Sequence, residues 1–304
     1  MTAIINKGID KIKLWIETAR VNNSRVILSR SKAGTFFIGF FIALMSAFML
    51  LPVIYSVVQA FKPIDEIFAY PPKFFVEHPT LDNFKMVLRL AGNLWVPFSR
   101  YLFNSLLISV LGTVITVFIS SLSAYPLAKG RFPGRTVISS AIIVAMLFNG
   151  NVTTMPRYLI IAGLGMVDTY FAILLPALAN TMGVFLMRQF IVSSIPDSTL
   201  EAARIDGAGE FKIYFRIVMP SIKAAWMTLI IFAFQGFWNS TYCNYIYSEE
   251  LKQLPSVLSS IAAGGIARAG AGSAVAVIMM LLPIVVFLIS QSSITETMSH
   301  SGLK

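Results

Sequence analysis

Residues able to do chemistry gather between Pro196 and Lys223, the longest well-charged stretch in the second half of the chain. Asp197, Glu201, Arg204 and Asp206 lie close together there, with no histidine or cysteine beside them. Carboxylates and a guanidinium on a short segment equip it for charged docking rather than for covalent catalysis. Ser198 and Glu201 have the Ser-x-x-Glu spacing of a capping box, with Asp197 as a competing N-cap. The spacing predicts a short helix that starts near Ser198 and is ended by Gly207 and Gly209. Ala202 and Ala203 in its middle are small enough to let another surface come close. Beyond the glycines, Phe211, Phe215 and Val218-Met219 recur at helical spacing, predicting a second amphipathic piece that runs to Pro220. On residue types alone the segment is either a solvated hairpin or a docking helix.

Composition says what must hold it. The 304 residues are 56% hydrophobic and 12% charged, against about 25% charged in ordinary soluble domains. That is an all-α polytopic membrane protein. The net charge of +10 is spread over membrane-flanking segments and not gathered on one face, which argues against nucleic acid as a partner. The single cysteine, Cys243, excludes a disulfide framework and reads as a small apolar residue near a helix end. His78 and His300 are far apart in sequence, which speaks against a zinc site.

Residues 1–35 carry no cleavable signal pattern. Ile5, Ile9, Ile12 and Ile16, with lysines between them and Trp15 beside them, fit an interfacial helix on an anionic leaflet or a loose basic tail. The first transmembrane helix is expected over 36–61, long enough for a hydrocarbon core that needs about 20 residues. A proline-rich connection over 62–100 follows, then five further spans over 102–127, 136–156, 170–188, 221–245 and 272–292. The third turns polar at Phe148-Asn-Gly-Asn before it ends. With the N-terminus inside, 16 of the 24 basic residues fall in inner segments and 8 in outer ones. Six spans with both ends cytoplasmic follow, and the Glu201 segment lies inside.

No Gly-Lys dipeptide is present to build a phosphate loop, and no Gly-x-Ser-x-Gly elbow occurs. Lys223, at the start of the fifth span, is the only charge placed inside a span, Arg188 being assigned to the loop that follows the fourth. Proton- and ion-coupled carriers keep acidic or basic relays there. Energy for moving a solute must therefore arrive through a cytoplasmic partner.

Glu201-Ala202-Ala203, Gly207 four positions on from Ala203, and Met219-Pro220 together resemble the EAA loop of permease subunits of bacterial ABC importers. The form Glu-Ala-Ala-x-x-Asp-Gly-Ala is similar to the carbohydrate-importer branch, which includes the second inner-membrane subunit of the maltose importer. The resemblance covers about residues 100–304. Its other carriers are Asn104-Ser105, the run from Ala124 to Arg135, Pro156-Arg-Tyr-Leu, the run from Gly163 to Thr169, Met187-Arg-Gln-Phe190, Phe237-Trp-Asn239 and the Gly302-Leu-Lys304 end. Lys223-Ala224 departs from it where Lys-Pro is common.

The resemblance implies a type I importer fold, with a permease core over 101–292, a coupling loop at 196–220 and a cytoplasmic tail over 293–304. It implies no catalysis and no cofactor in this chain. ATP and Mg would be bound by two partner ATPase subunits, a second permease subunit would complete the channel, and an extracytoplasmic solute-binding protein would deliver a carbohydrate, in the form of an oligosaccharide. Glu201, Ala202, Ala203, Arg204, Asp206 and Gly207 would couple to the ATPase. The glycine-rich outer connection with Gly264, Gly265 and Gly270 would reach toward the binding protein, or is simply a flexible loop. Asn180, Gln235, Trp238 and Asn239 could line a sugar path, though such residues also serve as helix–helix glue. Two other readings stand beside this one. An importer of a non-sugar solute such as glycerol phosphate would want basic residues facing its cavity, and the spans offer none. A membrane scaffold that recruits a soluble partner would show no solute-stimulated turnover.

Overall fold

Away from water a backbone must satisfy its own amides, and a chain this apolar does so with helices. The computed structural model of the protein describes residues 32–92, 96–148, 150–241, 244–265 and 268–301, and no strand forms among them. The proposed interfacial segment, Cys243, the His300 side chain and the Gly302–Lys304 end lie outside the described residues.

The chain divides into two units, residues 1–55 and 56–304. The first contributes most of α1 (Lys32–Phe61), whose Phe36, Phe37, Phe40 and Phe41 are all exposed, as suits a helix bathed in lipid. The second unit holds the end of α1 and everything after it. Its elements are α2 (Ile64–Ile67), α3 (Asp82–Gly92), α4 (Phe98–Lys129), α5 (Arg135–Met146), α6 (Gly150–Gly163), α7 (Tyr170–Ala177), α8 (Thr181–Ser194), α9 (Asp197–Ile205), α10 (Glu210–Ile213), α11 (Lys223–Asn239), α12 (Leu254–Ala262) and α13 (Ala269–Ser301).

Among the described residues, four helical stretches are long and apolar enough to cross a membrane: Gly34–Phe61, Phe98–Lys129, Tyr170–Ser194 across a short break, and Ala269–Gln291. A fifth arises if Glu210–Ser221 and Lys223–Asn239 form one span bent by 79°. The expected span over 136–156 is instead two short helices, α5 and α6, parted at 147–148 where the polar run begins. The expected span over 221–245 ends at Asn239, because Ser240 turns to an extended conformation. Below it the bend follows from Pro220 and from Ile222, whose φ of −104° and ψ of 28° leave the helical region. The sixth helix continues to Ser301, into the segment expected as a tail.

The spine is α4. Ser105, Ser109, Gly112, Thr113, Thr116 and Ser120 form a stripe of small residues along it, all buried. Small residues let helix backbones approach, which is what packs helices together in lipid. A Cβ on Gly112 would stand 2.6 Å from the Phe237 ring of α11, and one on Gly183 of α8 would stand 2.6 Å from Ser120 Oγ. Accordingly α4 packs most extensively against α8 and α11.

The connections expected to lie outside are structured. Asn83 Nδ2 donates to the carbonyls of Ala60 (3.0 Å) and Lys62 (2.7 Å), closing the C-terminal end of α1. Asn104 Nδ2 donates to the carbonyls of Glu250 (2.8 Å) and Lys252 (2.9 Å), and Ser105 Oγ accepts from Leu254 N at 2.7 Å. This seats α12, which buries Leu254, Val257, Leu258 and Ile261, so the connection over 246–271 is only in part a free loop. Asp168, at φ 61°, accepts from the amides of Tyr247 and Ser248 at 2.9 Å each and from the Ser248 hydroxyl. These donors hold its carboxyl below the ordinary aspartate range.

Two outcomes follow from this packing. Gly112→Val forces the Phe237 ring aside and costs about 1–3 kcal/mol, whereas Gly39→Val on α1 meets nothing within 4 Å; melting curves in detergent separate the two. The Asp168 clamp is fully present above the ordinary carboxylate range and is lost as pH falls through its lowered folded value. Protection factors of the Tyr247 and Ser248 amides therefore drop only in acid, and Asp168→Ala removes that dependence.

Candidate coupling site

The charged segment is carried by α8, which runs down the spine and ends at Ile195. Pro196 (φ −64°, ψ 145°) stops it and starts α9 at Asp197. The expected capping box does not form. Ser198 lies inside the first turn, no side chain caps the helix, and Asp197 is drawn to Lys129 Nζ at 2.6 Å. That ammonium, ahead of the more distant Arg131 and Arg135, holds the Asp197 carboxyl below its usual range. Pro196 presets the extended backbone from which the helix begins but has no side chain to accept from its first amides.

The C-terminal end is made by Gly207 as expected, whereas Gly209, at φ −68°, precedes α10 as its N-cap. Gly207 takes φ 76°, its amide bonds to Arg204 O at 3.0 Å, and the Ala208 amide reaches Ala203 O at 3.0 Å. Those two bonds make a Schellman turn, and the partly buried methyls of Ala203 and Ala208 supply its apolar contact. Nothing lies within 4 Å of a Cβ built on Gly207, so glycine is required for its backbone angle and not for space.

Leu200 is the one residue of α9 buried in the body of the protein. It is buried among Ile195, Ile213, Tyr214, Met187, Ile191 and Tyr125. Glu201, Ala202, Ile205 and Asp206 stand exposed on the other side, Ile205 at 86%. Arg204 Nε donates to Glu210 Oε1 at 2.8 Å, and Tyr125 OH donates to Glu210 Oε2 at 2.6 Å. Glu210 thus ties α9 to the last turns of α4. Glu201 has a long contact of 3.5 Å with Arg131, both exposed, which contributes little. A cavity of about 750 Å³ opens between these elements, lined by Tyr125, Lys129, Glu201, Arg204 and Glu210.

The second amphipathic piece does not show the expected face. Phe211 and Phe215 are exposed, and the buried side is Ile213, Tyr214, Val218 and Ile222. A π-helical turn over Tyr214–Val218 shifts the register, and the Tyr214 hydroxyl meets Ser121 Oγ of the spine at 2.6 Å.

The four residues expected along a sugar path are not one cluster. Trp238 is buried, stacked on Phe234 at 6.1 Å, and donates from Nε1 to Met279 O at 2.8 Å, so it joins α11 to α13. Gln235 and Asn239 are exposed on the side of α11 that carries Phe232 and Gly236. Asn180 caps α8 by accepting from Gly183 N at 2.7 Å and lines a smaller cavity with Phe232 and Gly236. Of the outer glycines, Gly264 and Gly265 are exposed, Gly265 at φ 80°, but Gly270 is buried against the Asn83 side chain and cannot face a partner. His78 does find acidic company: its amide and Nδ1 meet Glu66 at 2.8 and 3.0 Å, with Glu77 alongside. Glu66 also takes the Glu77 amide, and Glu77 pairs with Lys73, so these groups serve to close their own loop.

No protein-family model matches the chain. It is 30% identical over 225 residues to the arabinooligosaccharides transport system permease protein AraQ of Bacillus subtilis (strain 168), an overlap covering 73% of this chain and 78% of that one. The chain belongs to the permease subunits of ABC transport systems. The sn-glycerol-3-phosphate transport system permease protein UgpE of Yersinia enterocolitica is 36% identical over 180 residues, 59% of this chain and 60% of that one. A crystal structure of a bacterial ABC transporter involved in import of the acidic polysaccharide alginate shares the fold, with a TM-score of 0.70 over 86% of this chain and 98% of that one at 24% identity.

The permease is accordingly a multi-pass inner-membrane protein whose work is translocation, not catalysis. Three residues that anchor its charged helix, Tyr125, Lys129 and Glu210, were not picked out by sequence spacing. Only the pairing of opposite charges Arg204 and Glu210 across the two glycines could have pointed to one of them. Side chains forced to positive φ cost roughly 1–2 kcal/mol, and asparagine tolerates the region best. Amide exchange at Asp206–Ala208 should therefore quicken in the order Gly207, Gly207→Asn, Gly207→Val, with about tenfold separating the ends.

Proposed function

We propose that this permease imports a carbohydrate across the bacterial cytoplasmic membrane, in oligosaccharide form, and that α9 is its coupling helix. The observation that carries the reading is the two-sidedness of α9: Leu200 locked into the body, and Glu201, Ala202, Ile205 and Asp206 offered outward around small side chains. A short helix of that kind suits a groove on a soluble partner. Arabinooligosaccharide and alginate transport by the similar proteins supports a sugar as cargo.

The working assembly comprises this chain, a second permease subunit, two ATPases that bind ATP and Mg, and an extracytoplasmic solute-binding protein. Six spans with both ends cytoplasmic place α9 inside, α5 with α6 supplying the third span and the bent α10–α11 pair the fifth. Gly264 and Gly265 then lie outside, where a binding protein docks. Closure of the ATPase pair on ATP moves α9, and α8 and α10 transmit the motion to the spine as rigid bodies.

The test is ATP turnover by the reconstituted assembly in liposomes, with and without loaded binding protein. Glu201→Ala and Ile205→Asp, both on exposed positions, are expected to abolish the stimulated turnover at unchanged membrane insertion. Equal stimulation in both variants and the parent would defeat the coupling assignment.

A further inference from the structure

The helix over 170–194 is interrupted at 178–180, just after Pro176, and the gap opens a cavity of about 230 Å³. Its wall includes Thr116 of the spine, Ala177, Asn180, and Phe232 and Gly236 of α11. It also includes Arg157. The sequence had placed this residue in the loop after the third span, but α6 continues through it to Gly163, about 9 Å further along the axis.

Several of the basic residues around the spans have local uses, and Lys212, Arg216 and Lys223, which do not, line none of the cavities described. Arg135 donates to the carbonyls of Leu127, Ala128 and Gly130, Arg188 to Leu127 O, Arg100 to Glu250 O, and Arg204 to Glu210. Arg157 has neither a hydrogen bond nor an ion pair with any described residue. Arg157 is an exposed residue on the wall of the cavity, so its guanidinium can meet a ligand there. The other free polar group at the cavity is also a donor. Asn180 spends its Oδ1 on Gly183 N, which leaves its amide NH₂, while the Thr116 hydroxyl is turned to Ala177 O at 3.5 Å. No aspartate or glutamate lines the cavity. Hydroxyls of a neutral sugar donate as well as accept, and a wall of donors leaves their protons unmatched. A carboxylate or phosphate only accepts, and a planar guanidinium holds either one through two parallel bonds. Phe232, half exposed, offers an apolar face beside the donors for the body of a sugar ring.

We infer that the cavity at Arg157 and Asn180 recognises an anionic group on the cargo, so that the permease carries an acidic sugar, either a uronic acid oligomer or a sugar phosphate. This rests on the importer reading above and narrows its substrate class. The notion that no basic residue faces a cavity is thereby withdrawn.

Uptake into proteoliposomes by the complete assembly tests it, with three probes of matched size: a uronic acid trisaccharide, a phosphorylated sugar and a neutral trisaccharide. The unchanged assembly should take up one of the two anionic probes, and which one identifies the anion. Arg157→Gln should lower the ratio of anionic to neutral uptake at least tenfold, and Arg157→Lys, which keeps the charge and loses the fork, should retain part of that preference. Co-elution of each variant with the ATPase and partner permease guards against misfolding. The proposal is overturned if the neutral probe alone is transported. It is also overturned if Arg157→Gln slows all three alike, as expected of an arginine that merely reaches for headgroups. If the unchanged assembly shows no stimulation of ATP turnover by any loaded binding protein, the importer reading fails, and the proposal with it.

Discussion

In lipid, apolar side chains gain nothing by leaving one another's company, so helices hold together where their backbones can come close. The small stripe on α4 is where this permease does so. Gly112 against Phe237 and Gly183 against Ser120 are contacts that no larger residue allows without displacement. They fix α8 and α11 on the spine. Through α8 they also fix what lies at its two ends, Asn180 at the cavity and Pro196 ahead of α9, about 21 Å apart along a 14-residue helix. The cavity beside Asn180 and the exposed face of α9 are therefore the two ends of one rod.

The polar contacts distribute themselves around that rod. At one end Asn104 and Ser105 seat the chain that leads into α12, and Asp168 gathers the turn after α11. At the other, Lys129 meets Asp197 and Tyr125 meets Glu210. Both sets grow from the ends of α4 or from loops beside them. The middle of the molecule is left to van der Waals packing and to the gap where α7 breaks.

Long apolar runs made α1, α4 and α13 legible in the sequence, and glycine chemistry made the end of α9 legible, because only glycine sits easily at the φ that Gly207 adopts. Less could be read where an apolar pattern faces both protein and lipid. Phe211 and Phe215 have helical spacing, but spacing cannot say which face is inward when either environment accepts phenylalanine; the polar Tyr214 hydroxyl, seeking Ser121, decided it. Ser198 had the right spacing for a cap and lost to Pro196, with Asp197 taken by a lysine nearly seventy positions earlier in the chain. Trp238 was legible as a polar aromatic in a span, yet its partner on α13 could not be foreseen. Arg157 escaped because a proline one residue before it looked like the end of a span, and α6 runs straight through Pro156.

The length of α4 has its own consequence. Its 32 residues measure about 48 Å, while the hydrocarbon core of a bilayer is about 30 Å thick. Tilt alone would have to exceed the range of about 0–40° seen for membrane helices to hide the excess. The helix must instead stand proud of the bilayer, and Lys129 at its tip, with Arg131 just beyond, marks the end that belongs in water. Because Tyr125 and Lys129 hold α9 at that tip, the charges of α9 are carried past the hydrocarbon to the level of the headgroups. Glu201 and Asp206 on its exposed face then need no further device to stay hydrated.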